Sequence, residues 1–201
     1  MLRFATIPYH VFTPMAIIGF YLSPGSCHLA WHCAEQFYEQ VYQLEPWQTH
    51  AGVLAGLVQK ILNAHPEVIA TTTGPGSFTS IRIQLATAIG LKIGYSAQLF
   101  CPNTLDVLEY AGHGAIPCID SFRSDYFVKI SGEITCKTEP ELSALESQGQ
   151  KLCGDLGQSP KNLAVDLVKY YLANPHLKIL DKPEPYYVRT PEYKTRANFK
   201  R

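Results

Sequence analysis

The segment from Val68 to Gly94 restricts the fold more than any other part of this chain. Val68-Ile69-Ala70-Thr71-Thr72-Thr73 is a β-rich run. Gly74-Pro75-Gly76-Ser77-Phe78-Thr79 is a tight turn, and Gln84 to Gly94 is an apolar helical run rich in small residues. The order is strand, glycine corner, helix. Gly74 and Gly76 can take positive φ, and Pro75 fixes φ between them. Ser77 or Thr79 can cap the new helix by accepting a bond from an orphan N–H. Bare N–H groups at a helix start can hold an anion. The phosphate-loop pattern, however, needs a Lys and then Ser or Thr after its last Gly. Here Ser77-Phe78-Thr79 follow Gly76, so the corner reads as a device that aims a helix toward a core or a partner.

The helix itself is apolar nearly all round. Ile81, Leu85, Ile89 and Lys92 form one stripe; Phe78, Arg82 and Leu91 lie on others, with Ala86, Ala88 and Gly90 between them. Such a helix expects burial on more than one side. A core position alone and a core position combined with an interface both satisfy that demand.

Periodicity predicts the flanking elements. Leu2 to Ile7 reads as a strand, Pro8 to Pro14 as a turn, Met15 to Leu22 and Cys27 to Cys33 as two further strands, giving an antiparallel meander. Val53, Leu54, Leu57, Val58, Ile61 and Leu62 recur at helical spacing, so 49–64 is an amphipathic helix capped by Thr49. A strand is expected at 98–101. The second half predicts a helix at 103–110, hairpin strands at 116–119 and 126–130, a helix at 139–146, a strand end at 151–155 and a helix at 162–174. The sequence shows no internal repeat. The expected division is a first lobe over residues 1–101 and a smaller second lobe over 102–201.

Several motifs together resemble the TsaB (YeaZ) family. Gly74-Pro75-Gly76-Ser77-Phe78-Thr79, then Arg82-Ile83, Ala86-Thr87-Ala88 and Gly90-Leu91, is similar to its central signature. Thr49-His50-Ala51 before a helix, the hairpin Ile119-Asp120-Ser121-Phe122-Arg123-Ser124-Asp125-Tyr126 and the closing Pro185-Tyr186-Tyr187-Val188-Arg189 resemble further family segments. The resemblance implies an α/β chain with the actin/Hsp70-like ATPase (ribonuclease H-like) fold, one complete lobe and one reduced lobe. It implies an accessory subunit, without catalysis or cofactor of its own, in threonylcarbamoyladenosine synthesis on tRNA. The catalytic paralogue TsaD and the ATPase TsaE would be its partners, tRNA being met indirectly, with a homodimer as another use of the same helices. The two helices at 49–64 and 77–93 would dock the paralogue through Leu54, Leu57, Ile61, Phe78, Ile81, Arg82 and Leu85. The chain departs from the family at Ser80 and Gln84, where Gly is usual, and at Ile89, where Lys is usual. This predicts a bulkier docking surface. Thr6-Ile7-Pro8 is read at the place of an Asp-Thr-Ser strand end, so no carboxylate is expected there.

Rival chemistries find little support in the residues. A serine hydrolase needs a base beside its nucleophile, and no G-x-S-x-G elbow is present. No H-E-x-x-H occurs. Cys27-His28 and His32-Cys33 resemble metal ligands, but on a strand the two histidines share one face and the two cysteines the other, whereas zinc needs convergent ligands. Asp120 and Asp125 flank a hairpin and could hold a metal only if the turn folds both inward; bonding to backbone N–H groups or pairing with Arg123 is the expected role of Asp120. A degenerate nucleotide-binding hydrolase or peptidase-like enzyme built on the 74–79 loop is the alternative reading.

Composition bounds the setting. Hydrophobic residues make up 46% and charged residues 17% of the 201, as in an ordinary globular protein. Seventeen basic and seventeen acidic residues cancel, so nucleic acid is not recruited by a global field. The exception is local: from residue 182 on, six basic residues stand against two acidic ones, with Tyr186, Tyr187 and Tyr193 interleaved. That tail reads either as a solvated terminus or as an RNA-contacting segment. The six scattered cysteines, without a C-x-x-C pair or a leader pattern, suggest free thiols in a reducing cytoplasm. The run 15–22 is too short to span a bilayer.

Overall fold

The computed structural model describes residues 15–34, 36–45, 50–61, 65–174, 176–177, 179 and 182–189; of residues 50, 51, 60 and 61 it describes the backbone alone. The strand expected at 2–7, the turn at 8–14, the proposed cap Thr49 and the tail beyond 189 lie outside the described residues.

The first sheet has five strands in the order β3-β2-β1-β4-β5: β1 (Ile17–Leu22), β2 (Ser26–Cys33), β3 (Gln36–Gln43), β4 (Val68–Ala70) and β5 (Gln98–Phe100). β1, β2 and β3 form the antiparallel meander, while β4 and β5 run parallel to β1. Among the described residues the meander gains a strand that the sequence does not predict. Its third member is Gln36–Gln43, whose residues are exposed or half-buried throughout. An edge strand of this kind carries no apolar alternation to betray it.

The period-2 alternation of side chains divides two cores across this sheet. Ile18, Phe20 and Leu22 of β1, Leu29 and Trp31 of β2, Ile69 and Leu99 face α1 (His50–Ile61) and α2 (Phe78–Tyr95). Ile17, Ala30, Val68, Ala70 and Phe100 face the opposite layer, α3 (Thr104–Ala111) and α5 (Leu163–Ala173). The approach of α5 to the sheet is close: a Cβ on Gly19 would lie 2.7 Å from Val168 Cγ2 and 2.9 Å from the Ala164 carbonyl oxygen.

A second sheet of four strands has the order β8-β7-β6-β9, from β6 (Ile116–Asp120), β7 (Tyr126–Ile130), β8 (Glu133–Lys137) and β9 (Leu152–Gly154). Its outer face packs Cys118, Val128 and Leu152 on Leu142 of α4 (Glu139–Ser147). Its inner residues Ile119, Phe127 and Cys153 join the core around α3 and α5. Strand β8, which periodicity misses, is another short edge strand.

The second sheet repeats the topology of the first. Three antiparallel strands, a helix, a strand parallel to the first and a further helix occur in both, and only the fifth strand is missing from the second. The repeat is of connectivity and not of residues, which is why the sequence does not display it. This pair of related α/β units is the actin-like, ribonuclease H-like architecture with a complete and a reduced lobe.

Candidate functional site

The glycine corner leads from β4 into α2. Ser77 is the N-cap, its Oγ accepting from Ser80 N–H at 3.4 Å. Gly74 sits at φ +111°, and a Cβ there would lie 2.8 Å from both Ile81 Cδ1 and the Tyr186 carbonyl oxygen. The close neighbour Tyr186 belongs to the closing segment, whose N–H donates to Thr73 O at 2.8 Å. Residues 185–189 thus run as a strap over the corner. Tyr187 stacks on Phe78 with ring centroids 5.3 Å apart. Its hydroxyl accepts from Arg82 Nε at 3.0 Å, and the Arg82 guanidinium lies 3.8 Å from the Phe78 ring centroid. At the far end Arg189 forms a two-pronged pair with Asp125, one prong being Nη1 to Oδ1 at 3.1 Å. The strap joins the first-lobe corner to the second-lobe hairpin. The sequence quotes all three pieces as family motifs but gives no sign that they touch.

The docking residues expected from the sequence divide sharply. Leu54, Leu57, Ile81 and Leu85 are buried in the first-lobe core and are not available to a partner. The Ile61 side chain lies outside the described residues. Phe78 and Arg82 are exposed, but they serve the strap. Of the loop residues, Gly74 and Pro75 are buried, Gly76 and Ser77 half-buried and Thr79 exposed. The outward face of α2 is a different stripe: Thr79, Arg82, Ala86, Gly90 and Ile93. On α1 it is Gly52, Ala55, Gly56 and Gln59. Ile93 is 76% exposed, far more than a large aliphatic side chain normally is in a finished surface. Nothing lies within 4 Å of a Cβ on Gly56, Gly90 or Gly94, so a partner backbone has room to approach. Both helices cover the same sheet face, which sets the two stripes side by side.

Two family departures turn out to be internal, contrary to the expectation of a bulkier docking surface. Gln84 is fully buried; its Nε2 donates to Thr72 O at 2.7 Å and Thr72 Oγ1 at 3.0 Å, and its Oε1 accepts from Leu22 N–H at 3.0 Å. It ties α2 to the ends of β1 and β4. Ser80 is also buried, and its Oγ has no hydrogen-bond partner among the described residues.

Between the lobes lies a cleft of about 460 Å³, walled by the turns after β1, β4, β6 and β9. Tyr21 and Ser23, at the end of β1, reach it; Thr6-Ile7-Pro8 lies outside the described residues. The carboxylate is absent there in either case. Asp120 Oδ1 accepts from Phe122 N–H at 2.6 Å, and Asp155 Oδ2 accepts from Asp120 N–H at 2.8 Å. Both aspartates hold turns, as expected for Asp120. Burial pushes the Asp155 carboxyl above its ordinary range. No lysine or arginine lines the cleft among the described residues.

Ser26 Oγ and His28 Nε2, 2.8 Å apart at the cleft edge, invite comparison with a nucleophile and its base. The ring's other nitrogen settles the roles. His28 Nδ1 accepts from Leu163 N–H at 3.0 Å, so in the neutral ring the proton resides on Nε2 and is donated to Ser26. Burial lowers the His28 pKa and keeps the ring neutral. This tautomer cannot take a proton from Ser26. The four buried thiols are inert as well: burial pushes Cys27, Cys101 and Cys118 up to about 12 and Cys153 up to about 11. No group of three or more metal-ligating residues converges among the described residues. No helix among them is long and apolar enough to cross a membrane.

The class defined by this fold is the two-lobed actin-like α/β protein with its second lobe reduced. Residues 47–125 match the family model described as TsaD: tRNA N6-adenosine threonylcarbamoyltransferase. Among solved structures the chain is similar to YeaZ from Pseudomonas aeruginosa, at 17% identity and TM-score 0.62 over 87% of this chain and 100% of that one. It is also similar to a crystal structure described as an uncharacterized protein with similarity to peptidase YeaZ from Pseudomonas aeruginosa. There the identity is 19% and the TM-score 0.64, again over 87% of this chain and 100% of that one. No curated protein sequence matches the chain. Over residues 47–125 the chain is similar to the TsaD family model, and as a whole it shares the fold of the two YeaZ structures.

Proposed function

We propose that this chain is a non-catalytic subunit of a tRNA-modifying assembly and supports threonylcarbamoyl transfer to an adenosine of the anticodon loop by docking the catalytic paralogue TsaD. The ATPase TsaE completes the assembly, and the setting is the cytoplasm. The observation that carries this reading is the outward face of α1 and α2, small and apolar, with Ile93 standing open within the segment that matches the TsaD model. A face built of Gly and Ala lets a matching helix pair approach closely. Around it Val53, Ile83, Ile89 and Leu91 are half-buried and ready to be covered. A second copy of the chain is the competing occupant of that face. The interlobe cleft agrees with a non-catalytic role: a polyphosphate would meet two carboxylates and no lining cation.

The test is co-purification of tagged chain with TsaD, read by light-scattering mass. Wild type is expected to give a heteromeric complex. Ile93→Glu, which places a charge on the face, is expected to weaken assembly by at least about tenfold while leaving the melting temperature unchanged. Undiminished assembly of that variant would remove the face from the account. Ile81→Glu is not a useful substitute, because Ile81 lies in the core and its charge would unfold the lobe.

A further inference from the structure

The two sheets end in four edge strands, and three of them are blunted. β5 (Gln98–Phe100) and β9 (Leu152–Gly154) are three residues long, and β8 (Glu133–Lys137) carries a charge at each end of its five. Short or charged edges are poor templates for another strand. The fourth edge, β3, has neither device. Gln36-Phe37-Tyr38-Glu39-Gln40-Val41-Tyr42-Gln43 contains no proline, lysine or arginine and a single carboxylate. Its pairing with β2 runs unbroken from Cys33 opposite Gln36 to Ser26 opposite Gln43, so no bulge bends it away. Phe37 and Tyr38, which alternation places on opposite faces, are 40% and 46% exposed. Among the described residues no strand lies along its outer side. The backbone fixes which groups face out. Leu44 N–H donates to Gly25 O at 2.9 Å, so the hydrogen-bonded positions toward β2 continue through Tyr42, Gln40, Tyr38 and Gln36. The N–H and C=O groups of Phe37, Glu39, Val41 and Gln43 therefore point away from β2.

We propose that this edge pairs with the same edge of a second copy of the chain, β3 against β3, antiparallel about a two-fold axis at Gln40. That register uses all four outward residues: Phe37 lies opposite the partner's Gln43 and Glu39 opposite the partner's Val41, each pair exchanging two main-chain hydrogen bonds. Between them Tyr38 meets the partner's Tyr42 and Gln40 meets the partner's Gln40, in the closer positions where cross-strand side chains interact most. The neighbouring registers are worse. A slip of one residue sets outward groups against inward ones. A slip of two in one direction opposes Glu39 to Glu39, and in the other it carries Phe37 past the end of the strand. This self-complementarity selects a copy of the chain as the occupant. β3 lies at the opposite side of the sheet from β4 and β5, over which α2 packs, so the contact is independent of the docking proposed above. The experiment is light-scattering mass of the full chain, alone, over a concentration series, and wild type is expected to pass from monomer to dimer. Val41→Pro removes an outward donor and no bond to β2, a place where an edge strand accepts proline. It is expected to raise the dissociation constant by at least about tenfold with an unchanged circular dichroism spectrum. Gln40→Cys tests the register: on the axis two thiols come to a Cα spacing of about 4.5 Å, which a disulfide spans, whereas Tyr38→Cys sets them about 13 Å apart. Oxidation is expected to cross-link Gln40→Cys into a dimer and not Tyr38→Cys. A monomer at every concentration, a dimer undiminished by Val41→Pro (as pairing through the α1 and α2 face would give), or equal cross-linking of the two cysteine variants would each overturn the proposal.

Discussion

Gln84 shows how much a single side chain can hold in this fold. Its amide satisfies a backbone N–H on β1 and a carbonyl beyond β4, both deep in the first lobe. Gln84→Leu keeps the size but orphans both, so it is expected to cost about 2–4 kcal/mol in urea unfolding. Ser80→Ala, by contrast, removes a hydroxyl that nothing satisfies and is expected to be neutral or stabilising by up to about 1 kcal/mol. Asp125 supplies a pH dependence. The hydrogen bond from Arg189, then that from Ser121, holds its carboxyl below the ordinary carboxylate value of 3.8. A folded pKa below the unfolded one means stability that is present above the unfolded value and lost as pH falls through the folded one. The protection of the Tyr186 amide, its exchange rate relative to that of an unstructured amide at the same pH, is therefore expected to be high at neutral pH and to fall in acid below that range. Asp125→Asn should show low protection at every pH. Equal, pH-independent protection in both proteins would show that the pair does not hold the strap.

At the scale of elements, the sequence reveals what is buried and conceals what is at an edge. β1, β2, β4 and β5 and all five helices are legible, because each buries an apolar face and ends at a turn signal. β3 and β8 are not: Gln36–Gln43 mixes polar and aromatic residues on both sides, and Glu133–Lys137, though Ile134 and Cys136 alternate with polar neighbours, is only five residues long. The same logic applies to the two helices proposed to dock a partner. Periodicity locates both helices, but its stripe of Leu54, Leu57, Ile81 and Leu85 faces the core. The open face consists of Gly, Ala and one Ile, which a hydrophobic pattern does not single out. The strap is illegible for another reason. Its three contacts, Tyr186 to Thr73, Tyr187 to Phe78 and Arg189 to Asp125, each span more than 60 residues of sequence and leave no local period. Gly74→Ala tests the element that all of these share. The new Cβ meets a strap carbonyl and the Ile81 side chain at a positive φ. The expected cost is about 1–3 kcal/mol in denaturant unfolding, with faster proteolysis after residue 182. An unperturbed midpoint would mean the corner relaxes freely.

Over the whole molecule, two topologically equivalent units have diverged in use. The complete lobe presents two helices outward. The reduced lobe returns α5 beneath the first sheet, where the Gly19 contact binds the two halves into one body. The cleft between them is walled by the turns after β1, β4, β6 and β9, with no carboxylate at the end of β1, as the sequence leads one to expect, and with no lining lysine or arginine among the described residues. The account places recognition on the outside of such a molecule and leaves chemistry to the partner. The most direct test is threonylcarbamoyl transfer to tRNA reconstituted from TsaD and TsaE, with wild-type chain, with Ile93→Glu and with neither, and with the chain alone as a further reaction. The account predicts activity only when wild-type chain and TsaD are both present. Modification of tRNA or hydrolysis of ATP by the isolated chain, or full activity with Ile93→Glu, would contradict it.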